Sequence, residues 1–201
     1  MPGTSDAIFS PGPENAAAPE GGLGVPTLGE GGLDVPNLAD TAPTENAASA
    51  NDLSVPVGLQ IGQRAPNFTA PTLGGQTVSL SDFRGQVVLV NFWATWCEPC
   101  RTEMPDFQTV YNLHQQDGFV VLAVNNRESE EDVQKFVDQL GLKFTVVLDQ
   151  SGAIRDDLYG SAIPGFPTSF LIDQNGVIVR IFPSKMTGTE LLDALDPLLN
   201  S

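Results

Sequence analysis

The chain holds only two cysteines, and they stand two residues apart in Trp96-Cys97-Glu98-Pro99-Cys100. Thiols at that spacing can close into a disulfide and reopen, or share a metal ion. One pair is too few for a disulfide-stapled mini-domain or a four-cysteine zinc site. The sole histidine, His114, lies well along the segment that follows, so a tetrahedral zinc is badly served. A copper site using Cys97, Cys100 and His114 stays open as a binding or delivery reading. Redox use is favoured by context, because the pair falls where an apolar, strand-like run ends and a helix-like segment begins. There the unpaired N–H groups and positive dipole end of the helix stabilise a thiolate on Cys97, lowering its pKa from about 8.5 toward neutrality. Cys97 is therefore expected to attack, and Cys100, one turn further in, to resolve the mixed disulfide. Pro99 fits the first helical turn, where a missing N–H is not felt, and Trp96 would shield one side of the sulfurs.

The elements that must position this pair are legible from Ile61 onward. Phe68 to Ala70 and Thr77 to Leu80, joined through Gly74-Gly75, read as a hairpin. Gln86 to Trp93 is a continuous apolar run suited to a central strand covered on both faces. A helix is predicted from about Pro99 to Gln116, with Met104, Phe107, Val110, Tyr111 and His114 spaced for one face and Gly118 ending it. Phe119 to Asn125 is a second buried strand. Ser129 caps a helix reaching Leu140, with Glu130, Glu131 and Asp132 in its first turn. Thr145 to Leu148, Thr168 to Ile172 and Val177 to Phe182 supply further strands, the last two joined by Asp173-Gln174-Asn175-Gly176. Thr189 to Leu199 closes as a helix with Leu191, Leu192, Leu195 and Leu198 inward. Strands alternating with helices, then a hairpin and a helix, predict a three-layer α/β/α sandwich.

Composition bounds the rest. The 201 residues allow one ordinary domain plus a tail. Residues 1–57 are rich in Gly, Pro, Ala, Asn and acids, with no periodic apolar face, so they are expected to form a disordered linker, with residues 58–201 as the domain. Within the tail, Glu20 to Leu28 is echoed by Glu30 to Leu38, a local duplication too short for a solenoid. The segment reads as an inert tether, a docking segment being the other possibility. The net charge of -16 repels phosphate backbones and argues against nucleic acid as a partner. No run of about 18 apolar residues and no signal-peptide pattern is written in the chain. As it stands it reads as soluble, with membrane association only through a segment not present in it.

Val90-Asn91-Phe92-Trp93-Ala94-Thr95-Trp96-Cys97-Glu98-Pro99-Cys100-Arg101-Thr102-Glu103-Met104-Pro105 closely resembles the active-site segment of the TlpA/ResA-like branch of the thioredoxin superfamily. Ile61 to Phe68 with Ser81-Asp82-Phe83-Arg84-Gly85 is similar to the leading hairpin this branch shares with the AhpC/TSA-like redoxins, and Gly165-Phe166-Pro167-Thr168-Ser169-Phe170-Leu171-Ile172-Asp173 to its cis-proline strand. The resemblance implies a thioredoxin fold with a central mixed sheet and an N-terminal β-hairpin extension. It implies a cis Pro167 facing the disulfide, with Phe166 and Thr168 beside it and the Phe166 backbone offering strand-like hydrogen bonds to a client. An ordinary trans proline opening a strand is the alternative. Glu103 would lie beneath the cysteines, tuning their pKa values and moving the proton of Cys100; otherwise it is a helix-surface carboxylate. Asn91 stands where thioredoxins proper carry an aspartate, so that proton acceptor is replaced by Glu103 or water. The loop from Ser161 to Phe166 is about two residues longer than in many relatives.

The resulting expectation is a thiol-disulfide oxidoreductase that reduces disulfides in extracytoplasmic protein clients, cytochrome c maturation among the candidates, with an upstream thiol donor and no cofactor. Glu98 and Glu103 disfavour the thiolate and lean the couple toward reduction. A thiol peroxidase is the enzymatic alternative, but its pattern needs a hydroxyl residue three before the nucleophile and a proline further upstream. Here those places hold Ala94 and Val90. The extracytoplasmic placement rests on the resemblance alone, and the cytoplasm is the alternative.

Overall fold

The computed structural model describes residues 55–200. The expectation for the tail therefore lies, up to residue 54, outside the described residues. Val55 to Val57 already belong to the folded part: the Val55 carbonyl accepts from an Arg64 guanidinium nitrogen at 3.1 Å, and Pro56 O accepts from Arg64 N.

Strand β3 (Val87–Trp93) has every residue buried. Its largely apolar run is explained by its central place in a five-stranded mixed sheet. On one side β4 (Phe119–Asn126) runs parallel to β3, and β5 (Thr145–Asp149) parallel to β4. On the other, β6 (Thr168–Ile172) pairs antiparallel with β3, and β7 (Ile178–Phe182) antiparallel with β6. Parallel neighbours need crossovers, and here both are helices: α1 (Glu98–His114) between β3 and β4, and α2 (Glu130–Leu140) between β4 and β5. Because the two crossovers step the same way across the sheet with the same preferred hand, both helices land on one face. Val87, Leu89 and Trp93 of β3 pack there with Met104 and Phe107 of α1, Val133 and Phe136 of α2, and Leu191 and Leu195 of α3 (Gly188–Leu199).

The opposite face takes the other half of each strand. Val88, Val90, Phe92, Phe170 and Ile172 meet Phe68, Leu80, Ile154 and Tyr159. This third layer consists of the hairpin β1 (Thr69–Pro71) and β2 (Thr77–Ser79), a 3-10 turn Leu80–Phe83 and a short π-helical turn Ile154–Leu158. The three α-helices of the described residues thus share one face, and short pieces cover the other. Tyr159 stitches that side together. Its ring contacts Phe68, Phe92 and Phe170, and its hydroxyl donates to Pro66 O at 2.8 Å.

Helix ends follow the sequence signals. Ser129 accepts from Asp132 N as the cap of α2, and Thr187 and Glu190 form a reciprocal capping box on α3. Gly118 takes a left-handed φ of 86° where the chain leaves α1 and its trailing 3-10 turn for β4, a conformation that favours glycine.

Candidate active site

The C-terminal end of β3 delivers the chain into the turn Ala94–Cys97, closed by a hydrogen bond from Cys97 N to Ala94 O at 3.2 Å. Cys97 is the N-cap of α1, and its sulfur accepts from Cys100 N at 3.3 Å. An N-cap normally presents an oxygen to the free N–H groups of the first turn, and here a sulfur takes that place. It lies at the positive end of a 17-residue helix dipole. Cys97 and Cys100 form a disulfide, with Cα atoms 5.3 Å apart. Cys97 is 5% exposed and Cys100 not at all, so one sulfur borders solvent and the other is shut in.

Around that edge the structure gathers the residues expected from the sequence. The Phe166–Pro167 peptide is cis. Trp96 is 70% exposed, and its ring lies 5.9 Å from that of half-buried Phe166, giving an aromatic margin to the site. Thr168 is fully buried, and its hydroxyl donates to Gly165 O at 2.8 Å. Its side chain shapes the turn before Pro167 and offers no free group at the surface. Glu98 is well exposed and lies 3.9 Å from Arg101, so its influence on the sulfurs is weakened by water and by a neighbouring cation. Pro99 occupies the first turn of α1 and is exposed.

Glu103 follows Cys100 by three residues on α1, hence one turn along the same side. It is completely buried, so the helix-surface reading does not hold. One carboxylate oxygen accepts from Asn91 Nδ2 at 3.0 Å and the other from Met186 N at 3.2 Å. Asn91 Nδ2 also donates to Ser169 Oγ at 2.8 Å, across the β3–β6 pairing that sets the two residues opposite each other. Burial pushes the Glu103 pKa up from 4.5 to about 7, against the downward pull of the Met186 N–H, the Asn91 amide and the Lys185 charge, with Asp106 pushing upward. A carboxyl buried one helical turn beyond Cys100, with its pKa raised to about 7, is suited to exchanging a proton near neutrality.

The cysteines, Glu103, Asn91 and the proline segment each carry a signal in the sequence. Ser169, the Met186 amide and Glu128 do not, because Asn91, Glu103 and Thr95, which they bind, lie far along the chain. His114 sits at the far end of α1, bonded to Asp117 at 3.1 Å. Fourteen helical residues from Cys100 amount to about 21 Å, too far to share one ion with it. Ala94, three before Cys97, has no hydroxyl, which the peroxidase alternative needs at that place.

A family model described as the AhpC/TSA family matches residues 61–181. The thiol-disulfide oxidoreductase ResA of Geobacillus thermodenitrificans is 36% identical over 149 residues, covering 74% of this chain and 84% of the relative. Among solved structures, a thiol:disulfide interchange protein DsbE from Chlorobium tepidum superposes with a TM-score of 0.65 at 37% identity, over 71% of this chain and 99% of that one. A secreted thiol-disulfide isomerase from Corynebacterium glutamicum does so at 0.64 and 31%, over 69% and 86%.

Proposed function

Since the chain belongs to the AhpC/TSA family and is a protein-disulfide oxidoreductase of the ResA-like, thioredoxin-fold kind with a Cys97–Cys100 redox pair, we propose that it reduces disulfides in protein clients outside the cytoplasm, Cys97 attacking and Cys100 resolving. The observation that carries this reading is the sulfur of Cys97 at the N-cap of α1, bonded to Cys100 N, with the buried carboxyl of Glu103 behind.

In the reduced enzyme, the Cys97 thiolate attacks one sulfur of a client disulfide, forming a mixed disulfide and expelling a client thiolate. The Cys100 thiol then loses its proton to Glu103, attacks the Cys97 sulfur and expels the second client thiolate. Two electrons pass to the client and the pair ends as the disulfide. An upstream thiol donor returns them. The Phe166 backbone and Pro167 receive the client strand, with Trp96 and Phe166 packing against its apolar side chains. The net direction follows from electrostatics: a carboxylate behind the sulfurs disfavours the thiolate form and makes the couple a better reductant. The extracytoplasmic setting is supported by the secreted relative, and apocytochrome c is one client to test.

The test is trapping. Cys100→Ser should accumulate mixed disulfides with insulin or a periplasmic extract, while Cys97→Ser should trap nothing and lose insulin reduction. Equal trapping by both variants would overturn the assignment of nucleophile, and trapping without turnover by the wild type would overturn the reductase direction.

A further inference from the structure

Glu128 has no part in the reading above, yet its carboxylate is committed to the loop that carries Cys97. One oxygen accepts from Thr95 N at 2.7 Å and from Asn125 Nδ2 at 2.6 Å, and the other from Thr95 Oγ1 at 2.5 Å. Thr95 is the second residue of the Ala94–Cys97 turn, and its carbonyl accepts from Arg101 Nη1 at 3.2 Å, so every polar group it has is engaged. Asn125 lies in β4 opposite Trp93 of β3. The carboxylate therefore bridges the C-terminal ends of two adjacent parallel strands at the point where the chain leaves for the cysteines. Arg127, at a left-handed φ of 61°, turns the chain just before Glu128. Such a conformation is unfavourable for a residue with a Cβ and persists where surrounding structure holds it.

We propose that Glu128 is a positioning residue for thiol-disulfide exchange, holding the Ala94–Cys97 turn so that the Cys97 sulfur stays aligned with Cys100 N at the end of α1. The proposal rests on Cys97 as the attacking sulfur. Three donors already occupy the carboxylate, so it is not placed to act as a base. Its two bonds to Thr95 fix both the backbone and the side chain of that residue, and Arg101 fixes the third group. A turn held from both sides cannot swing its last residue away from the helix axis. The sulfur keeps its N–H donor, and the thiolate is stabilised by geometry that would otherwise be one conformer among several.

Charge and position make opposite predictions for Glu128→Gln, which decides between them. A glutamate acting only through its charge opposes the thiolate, so its neutralisation would lower the Cys97 pKa and speed attack. A positioning glutamate gives the reverse, because glutamine keeps a single acceptor oxygen and loses the charge that strengthens the bonds to Thr95 and Asn125. The experiment uses full-length reduced protein and reads the pH dependence of Cys97 alkylation, with the second-order rate of exchange with insulin at neutral pH. Glu128→Gln and Thr95→Val should each slow exchange about five- to tenfold and move the alkylation midpoint to higher pH, as loss of a charge-assisted hydrogen bond implies. Thr95→Ser, which keeps the N–H and the hydroxyl, should stay within about twofold of the wild type. Should Glu128→Gln fail to fold, the Thr95→Val and Thr95→Ser pair carries the comparison alone. Glu128→Gln reacting as fast as wild type or faster, or Thr95→Val matching Thr95→Ser, would overturn the proposal. If alkylation of the wild type proceeds at Cys100 first, it is the assignment of the nucleophile that fails instead.

Discussion

Replacing Glu103 by glutamine should change how stability depends on pH. The carboxyl titrates at 4.5 in an unfolded chain and at about 7 when folded, because burial penalises its charged form. A raised carboxyl pKa means that between those values the unfolded chain releases its proton first and is favoured. The stability fully present below pH 4.5 is therefore lost as the pH rises and is at its lowest above 7. With these two values the loss is about 1 kcal/mol at pH 5 and about 3 kcal/mol at pH 8. Glutamine cannot ionise, so that slope disappears. Glutamine also fits Asn91 Nδ2 and the Met186 N–H less well than a carboxylate, but that cost is almost independent of pH and cancels when two pH values are compared. Relative to wild type, Glu103→Gln should gain about 2 kcal/mol between pH 5 and pH 8, or roughly 5–8 °C in Tm for a domain of this size. The assay is urea unfolding of the disulfide form of both proteins at the two pH values, which keeps thiol titration out of the comparison. Parallel pH profiles would refute the reasoning and mean that the carboxyl is hydrated or compensated in solution. In the reduced protein the same substitution should lower the Cys97 pKa, read by alkylation, with little response to salt because Glu103 is buried.

Deleting residues 1–54 should leave Tm and insulin reduction nearly unchanged, by calorimetry and turbidity, since the segment is poor in core-forming residues; a fall of several degrees would reveal docking. Thr187→Ala removes the hydroxyl that accepts from Glu190 N and should cost about 1 kcal/mol in urea unfolding, without altering the Cys97 titration. Trp96→Ala should raise KM for protein clients several-fold while leaving exchange with a small disulfide unchanged, because the exposed ring contributes contact area and no chemistry.

The legible parts of this fold are those in which one segment carries its own signal. The run of β3, apolar apart from Asn91, announced a strand buried on both faces, and Ser129 and Gly118 marked the ends of their elements. Pro105 argues the other way. It sits inside α1, where it cannot donate to the Arg101 carbonyl, and the helix continues because Phe107 and Val110 are fixed in the core beyond it. The composition of the third layer was hidden for a different reason. That α1, α2 and α3 share a face depends on strand order, which no local pattern encodes. The site divides likewise. Cys97, Cys100 and Glu103 lie within seven residues of one another, but Glu103 is held by Asn91 and Met186, and Thr95 by Glu128, across separations of 12, 83 and 33 residues.

Neither edge of the sheet is left wholly open. At β5, Thr72 bridges Val147 and Leu73 N donates to Val146 O; at β7, Gly62 and Gln63 exchange backbone bonds with Ile178, and Arg64 bridges Val177. In the proposed reductase role, clients that lose their disulfides and unfold would be a hazard, since such chains seek free strands to pair with. With both borders partly occupied by its own leading segment, the sheet offers a guest little backbone to adhere to away from the turn before Thr168. The stretch from Gly62 to Leu73 thus reaches both borders, and its loss is expected to show first as client-dependent clumping, before any decline in redox turnover.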